Sequence, residues 1–492
     1  KYKIYEPTQT VFFTFDPGKY FPIGSFERFL VDTIEELDLS NFIKINDKAS
    51  PPSYDPRAII GILFYSYCLG CFSARTMEKN CKYNMGYMYI SGHNTPEHTT
   101  ISRFLNKYEE QIMELCTKIL YIADKCGYIN YALIAVDGTK IKAKSSERFI
   151  GTIKDFKKRK KRLEEKIKLA IEKQKTAEAD DKKEYWSKKE KAFKKDKEKI
   201  TTFLKDADEI LNKKKKETKQ NISESDSKVM KFKRGTYGVG YNAQAASCDE
   251  SGIIIANDVS NSVSDTENFV PIIDKIKSNT PLEKKELLNN SKLLFDNGYH
   301  STDNIIKAEE EKLDVYIADK QSKDVLNDTE KCNKKYIGSK DCKLIKNENG
   351  IMLTCPGKRN FSKYTKGKKQ DRILYRFQVD EIEKCEGCDF YPICVGRYEQ
   401  SKNKKEFKID AKIVDNYDIL KRHMEKLHSE DGKIIYSRRM PTIERVFAYI
   451  KGKLGLVSFS RKGLKKVRVE WTLVCIAHNL RRMFNLSLIN TT

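Results

Sequence analysis

Residues 154–219 contain neither proline nor glycine, and more than half of their side chains are charged. A segment of that composition cannot bury a core of its own, so it is helical with narrow apolar stripes or it is not ordered at all. Its apolar residues favour the stripes. Phe156, Leu163, Ile167 and Ala170, with Gln174, fit one helical face. Trp186, Phe193, Ile200, Leu204, Ala207 and Leu211 fit a second, mostly at spacings of three, four and seven. A break near Thr176–Asp181 predicts a helical hairpin projecting from the body. Its charges read as a solvated face, with direct DNA contact the lesser use.

The rest of the chain is of ordinary globular character. It has 492 residues, 39% hydrophobic and 11% aromatic, which excludes a wholly disordered protein and suggests two to four domains. No apolar run approaches the roughly 18 residues of a membrane span. No charged-then-apolar leader opens the sequence, so neither a membrane partner nor a secretory signal is expected. Thirteen scattered cysteines do not resemble a disulfide framework, and a reducing cytoplasm is the expected compartment. The 94 Lys and Arg against 70 Asp and Glu leave +24, which asks for a polyanion. A codon bias that enriches Lys, Ile, Asn and Tyr together would raise Lys without any partner, but acids could have offset it and do not. Nucleic acid is the expected partner.

Six stretches follow in order. Residues 1–130 read as an N-terminal helical DNA-binding domain. In it Asp55-Pro56 opens a helix with an N-cap and N1 proline, Ser73 opens a second, and Thr95-Pro96-Glu97 opens a third. That third helix carries a stripe of Ile101, Phe104, Leu105 and Tyr108, with Arg103 on its outer face as a DNA-reading residue. The turn at Ser91–Asn94 between short helices resembles a helix-turn-helix, a pattern any small helical bundle shares. Residues 131–150 hold a buried strand, Leu133–Val136, then a tight turn at Asp137-Gly138 and a half-exposed strand. The charged hairpin occupies 151–220. Strands and helices alternate over 221–320: an antiparallel pair around residues 249–252, a helix over Phe269–Lys277, a strand ending at Asp296, a helix over Asp303–Glu311 and a strand at Val315–Ala318. Residues 321–433 form a cysteine-bearing insertion, and 434–492 are helical. The fold class is multi-domain α/β.

Asp137 and Asp296 each follow an apolar strand, where open α/β sheets place their sites. Converging carboxylates make a hard-oxygen site for Mg²⁺ or Mn²⁺, although a single Asp-Gly or Asp-Asn-Gly is also an ordinary turn. Glu444 is the third acid, with Lys451 seven residues on and Tyr436 and Arg439 just upstream. A carboxylate for metal beside cations for phosphate is what phosphoryl transfer needs. Cys385 and Cys388 form a CxxC pair, with Cys394 after them and Cys355 before; four thiolates so spaced suit a structural Zn²⁺, with Cys332 and Cys342 as substitutes. The six histidines form no spaced cluster, and His478 reads as a core residue.

Leu133–Lys144, Leu293–His300 and Tyr436–Lys451 resemble the three catalytic blocks of DDE-type transposases of bacterial insertion sequences, in the branch with a Tyr–Arg–Glu–Lys signature around the third acid. The segments Tyr54–Arg57 through Phe104, and Arg461–Arg482, are similar to that branch's beginning and end. The resemblance implies a ribonuclease-H-like core with Asp137, Asp296 and Glu444 as catalytic Mg²⁺ ligands, and Tyr436, Arg439 and Lys451 on DNA. Asp226 and Asp265 remain open as accessory acids. It implies cut-and-paste transposition: binding of terminal inverted repeats, hydrolysis to free a 3′-OH, and transfer into target DNA, with a homodimer in the DNA complex and a cytoplasmic, nucleoid-associated location. An inactive DNA-binding relic and a metal-dependent nuclease are the alternatives.

Overall fold

The computed structural model describes residues 16–42, 54–205, 207, 217–232, 235–319, 337–348, 350–369, 372–379, 385, 387–394 and 406–490. Two compact units are present: residues 1–288 with 439–492, and residues 289–438.

The first unit opens with helices α1 (Phe26–Glu35), α2 (Pro56–Cys68), α3 (Ala74–Tyr83), α4 (Met85–Ile90), α5 (His98–Lys107) and α6 (Glu109–Lys125). Asp55 caps α2 as expected, accepting the Arg57 N–H at 2.8 Å, and every α2 residue from Ala58 to Cys68 is buried. Helix α5 starts later than the sequence suggests. Thr95-Pro96 is not helical, because Glu97 after it is extended (φ −63°, ψ 151°) and stands at the N-cap. Glu78 instead reaches across from α3 and accepts the His98 N–H at 3.0 Å. That bond and a 2.7 Å contact to His98 Nδ1 hold the Glu78 carboxyl down at about 2.

Strand β1 spans Leu133–Lys142 without interruption. The turn expected at Asp137-Gly138 does not exist. Both residues lie in antiparallel register with a later strand, Asp137 opposite Ala245 and Gly138 opposite Gln244. Glycine is required here for room rather than for bending. A Cβ on Gly138 would stand 2.4 Å from Gln244 Nε2, 2.7 Å from Asp265 Oδ1 and 3.0 Å from Asn242 Oδ1. Gly138→Ala is therefore expected to destabilise the protein by about 1–3 kcal/mol. An unchanged denaturant midpoint would show that this polar cluster gives way freely.

The charged tract forms the expected hairpin, α7 (Ile153–Thr176) and α8 (Asp180–Lys205). Thr152 and Asp155 close a capping box at its start, and Phe149, Phe156 and Ile200 form its buried seam with Leu163, Phe203, Leu204 and Ile222. Ala207 follows the end of α8, and Leu211 lies outside the described residues. Strands β2 (Lys228–Lys231), β3 (Tyr237–Cys248) and β4 (Ile254–Ser260) come next, and β3 pairs antiparallel with β1, β2 and β4. Helix α9 (Phe269–Asn279) packs on β4 through Ile272, Ile273 and Ile276.

In the second unit β5 (Lys292–Phe295) and β6 (Asp314–Ile317) run parallel, joined through α10 (Thr302–Glu310). Strands β7 (Lys343–Asn347) and β8 (Gly350–Thr354) form one antiparallel pair, and β9 (Tyr364–Lys369), β10 (Arg372–Gln378) and β11 (Glu406–Asp410) an antiparallel sheet. Leu353, Phe361, Phe377 and Phe407 share their core. Helices α11 (Tyr417–His428) and α12 (Glu430–Ser437) end the unit.

The chain then returns to the first unit with α13 (Arg439–Ala448), a π-helical turn at Tyr449–Lys453, and α14 (Leu464–Asn490). α14 is the spine of that unit: Trp471, Val474, Cys475 and Ile476 are fully buried, Cys68 of α2 donates to the Ala477 carbonyl, and Trp471 Nε1 donates to the Gln244 carbonyl of β3. Among the described residues no helix is long and apolar enough to cross a membrane.

His423 in the second unit and His478 in the first are both buried, and each ring pairs with a carbonyl, Ile317 at 3.0 Å and Gly252 at 2.9 Å. Burial lowers both from 6.5 to about 4. Unfolding frees them to take a proton below 6.5, so stability is expected to fall as pH drops from 6.5 to 4, each contributing on the order of 3 kcal/mol. Unfolding midpoints that do not change between pH 7 and 4.5 would contradict this.

Candidate active site

Asp137 lies mid-strand, half-exposed, directly after four buried apolar residues. Its Oδ1 accepts the Gly138 N–H at 2.8 Å, and Arg439 Nη1 stands 3.6 Å from its Oδ2. Arg439 is itself buried at the start of α13. Strand alternation puts Thr139 on the same face as Asp137. There Lys451 donates to Thr139 Oγ1 and lies 3.5 Å from the Lys140 carbonyl. Asp137, Arg439 and Lys451 are thus assembled within one unit.

Glu444 projects from α13 on its exposed side, and makes no ion pair or hydrogen bond among the described residues. The helix carrying it is held from both flanks. Ile443 and Val446 are fully buried. Thr442 donates to Asp249 Oδ1 at 2.7 Å and Arg445 to the Glu250 carbonyl at 3.0 Å, both in the β3–β4 turn. The same turn is gripped from α14 by Arg482 and His478. Sequence reasoning passed over Asp249, whose only visible signal was its place in a turn.

Asp296 belongs to the second unit, half-exposed at the carboxyl end of β5, where it opens a 3-10 turn at Asn297–Tyr299. Tyr436 of α12 donates its hydroxyl to the Phe295 carbonyl at 3.1 Å, one residue before the acid.

The two accessory acids are committed elsewhere. Asp265 lies among Gly138, Asn242 and Gln244, on the face of β1 opposite Asp137. Lys140 at 2.9 Å, Asn242 at 2.6 Å and Gln244 at 3.2 Å all donate to it. Asp226 accepts the Leu464 N–H at 2.9 Å and so caps α14.

On α5, Ile101 and Leu105 anchor the helix, Tyr108 is buried, and Phe104 stacks on Phe42. Arg103 and Lys107 are exposed, with Thr99 and Ser102 half-exposed beside them. If this face reads element ends, Arg103→Ala should narrow the ratio of end to scrambled-duplex affinity by about 1–3 kcal/mol. Equal weakening on both duplexes, measured at two salt concentrations, would mean that it touches only phosphate.

In the second unit, Cys355, Cys385, Cys388 and Cys394 line one cavity of about 30 Å³, walled by Ile337, Phe361, Phe390 and Phe407. Gly357 lies between two of the thiols: a Cβ there would be 2.6 Å from Cys388 Sγ and 3.7 Å from Cys355 Sγ. Arg359 donates to Cys385 Sγ at 3.1 Å. Cys342 donates to the Gly338 carbonyl and does not line the cavity; Cys332 lies outside the described residues. Among the described residues no three His, Cys, Asp or Glu side chains stand close enough together to grip an ion as they are.

Residues 354–484 match the family described as Transposase DDE domain, and residues 16–107 match the Transposase domain family DUF772. Together the two matches support a DDE-type transposase of an insertion sequence. No curated protein matches it. The first match covers Glu444, Tyr436, Arg439, Lys451 and the four cavity cysteines; the second covers α1 to α5 of the transposase, including Arg103.

Proposed function

We propose that this transposase performs Mg²⁺-dependent cut-and-paste transposition, that it belongs to the Tyr–Arg–Glu–Lys branch, and that Asp137, Asp296 and Glu444 together hold the metal. One observation carries the reading. Two members of a single sequence block attend two different acids: Arg439 stands 3.6 Å from Asp137, and Tyr436 is bonded to the residue preceding Asp296. A ribonuclease-H-like core is supported by the antiparallel β1, β3 and β4 in one unit and the helix-linked parallel β5 and β6 in the other.

Two divalent ions on such carboxylates would activate the attacking oxygen and stabilise the leaving one. The chain's own contribution is positioning. Arg439 orients the Asp137 carboxylate, Lys451 presents a cation along the same face for a phosphate oxygen, and Tyr436 braces the strand end that bears Asp296. The partners are the element's terminal repeats and target DNA, with a second copy of the chain in the complex, in the cytoplasm at the nucleoid.

We further propose that the four cavity cysteines draw together on a structural Zn²⁺. They are thiols facing one small apolar-walled space, and Gly357 leaves room that any side chain would fill. Arg359 would offset the negative charge of the thiolates.

The test is incubation of the full chain with its own flanking DNA ends and Mg²⁺. Cutting at the element boundary with a polymerase-extendable 3′-OH is expected. Binding without cutting in either Mg²⁺ or Mn²⁺ would mark an inactive relic, and cutting without preference for the ends a nuclease.

A further inference from the structure

The hairpin concentrates the molecule's charge. Helix α7 has 11 Lys and Arg against 4 acids and α8 has 10 against 6, so 21 − 10 gives +11 of the chain's +24 on 50 residues. The two helices distribute it differently. On α8 the acids are met by bases: Glu184 with Lys188, Glu190 with Lys194, Asp180 with Lys183 and Asp196 with Arg148. On α7, Glu164 is met by Lys197 and Asp155 is used in the capping box. The densest run of unpaired bases opens α7.

Lys154, Lys157, Lys158, Lys161 and Arg162 are all exposed, and none makes an ion pair among the described residues. At 100° per residue these five fall within an arc of about 140°, opposite the seam of Phe156, Leu163, Ile167 and Ala170. Arg159, the neighbour outside that arc, turns inward and donates to the carbonyls of Arg148 and Ile150. α8 also has exposed like-charge neighbours, Lys191, Lys195 and Lys199, but Glu198 falls on their face. The α7 face stacks like charges at i,i+4 three times, Lys154 with Lys158, Lys157 with Lys161 and Lys158 with Arg162. Such pairs destabilise a helix, and Lys154 in the first turn also opposes the helix dipole. The fold gains nothing from this arrangement, whereas an external row of anions does satisfy it.

We propose that this face of α7 is an arm that binds the sugar–phosphate backbone of duplex DNA, independently of sequence. The proposal rests on DNA being the transposase's partner. Strand β1 leads from Asp137 toward the arm, and its rise of about 3.4 Å per residue sets Lys142 roughly 17 Å beyond that acid.

The experiment measures affinity of the full chain for a duplex bearing an element end across a range of salt concentrations. The first variant replaces Lys157, Lys158, Lys161 and Arg162 with Gln, a good helix former. The control replaces the paired Lys183, Lys188, Lys194 and Lys197 with Gln. Circular dichroism confirms that both keep their helices. Each lost phosphate contact lowers the log–log salt slope by about 0.9, so the first variant should lose about 3–4 of slope and the control less than one. Equal slopes for wild type and the first variant, or equal losses in both variants, overturn the arm. Absence of salt-dependent binding by the wild type would overturn the DNA-binding reading itself, and the arm with it.

Discussion

Asp137→Ala, Asp296→Ala and Glu444→Ala are each expected to abolish cleavage of an element end while leaving end binding largely intact. Removing one ligand from a metal-dependent phosphoryl-transfer site forfeits several kcal/mol of transition-state stabilisation, on the order of 10³-fold in rate or more. Binding should survive because the basic residues lie largely outside these three positions, +11 of the net +24 on the hairpin helices alone. The fold survives too, since Asp137 and Asp296 are only half-buried and Glu444 is exposed. A sharper variant is Asp137→Cys. A thiolate is a poor ligand for Mg²⁺ and a better one for Mn²⁺, so this variant should be inactive in Mg²⁺ and regain cleavage in Mn²⁺. Near-normal cleavage in Mg²⁺ by any of the alanine variants strikes that residue from the site.

Cys388→Ser should have the second largest effect. The purified transposase is expected to contain about one Zn per chain, falling toward zero in this variant. Structural zinc contributes about 10 kcal/mol or more in small domains, because binding and folding are one event. Here the cavity is walled by Phe361, Phe390 and Phe407, from the same core that joins β8, β10 and β11. Loss of the ion should therefore loosen residues 337–415 and expose Cys355 and Cys394 to thiol reagents. Helix α14 and β1 lie in the other unit and should keep their protection. Protein purified without chelators and found free of zinc would rule the site out.

Much of this architecture was legible in the residues. The hairpin followed from the absence of helix breakers and from the spacing of its seam, and the antiparallel pair of β3 and β4 from two apolar runs around residues 249–252. His478 behaved as the core residue its apolar helix implied. The misreadings have a common cause: local turn and cap chemistry was trusted where a distant partner decides. Asp137-Gly138 looks like a turn, but β3 pairs with it across more than a hundred residues and makes glycine necessary for close approach. Thr95-Pro96 looks like a cap, but Glu78 of α3 takes that role. Asp265 is open as an accessory acid in the sequence, and only the fold brings Lys140, Asn242 and Gln244 around it. Lys451 was legible as a cation seven residues from Glu444. It meets Thr139 from within the π-helical turn at Tyr449–Lys453, which no spacing rule anticipates.

The central claim is strand transfer carried out by these three acids. It is tested most directly by giving the full chain precut element ends with free 3′-OH groups, a supercoiled target plasmid and Mg²⁺. Ends covalently joined to the plasmid through those 3′-OH groups are predicted, with joining absent in each of the Asp137→Ala, Asp296→Ala and Glu444→Ala proteins. A plasmid that is nicked but never joined, or joining that persists in any of the three variants, would contradict the account.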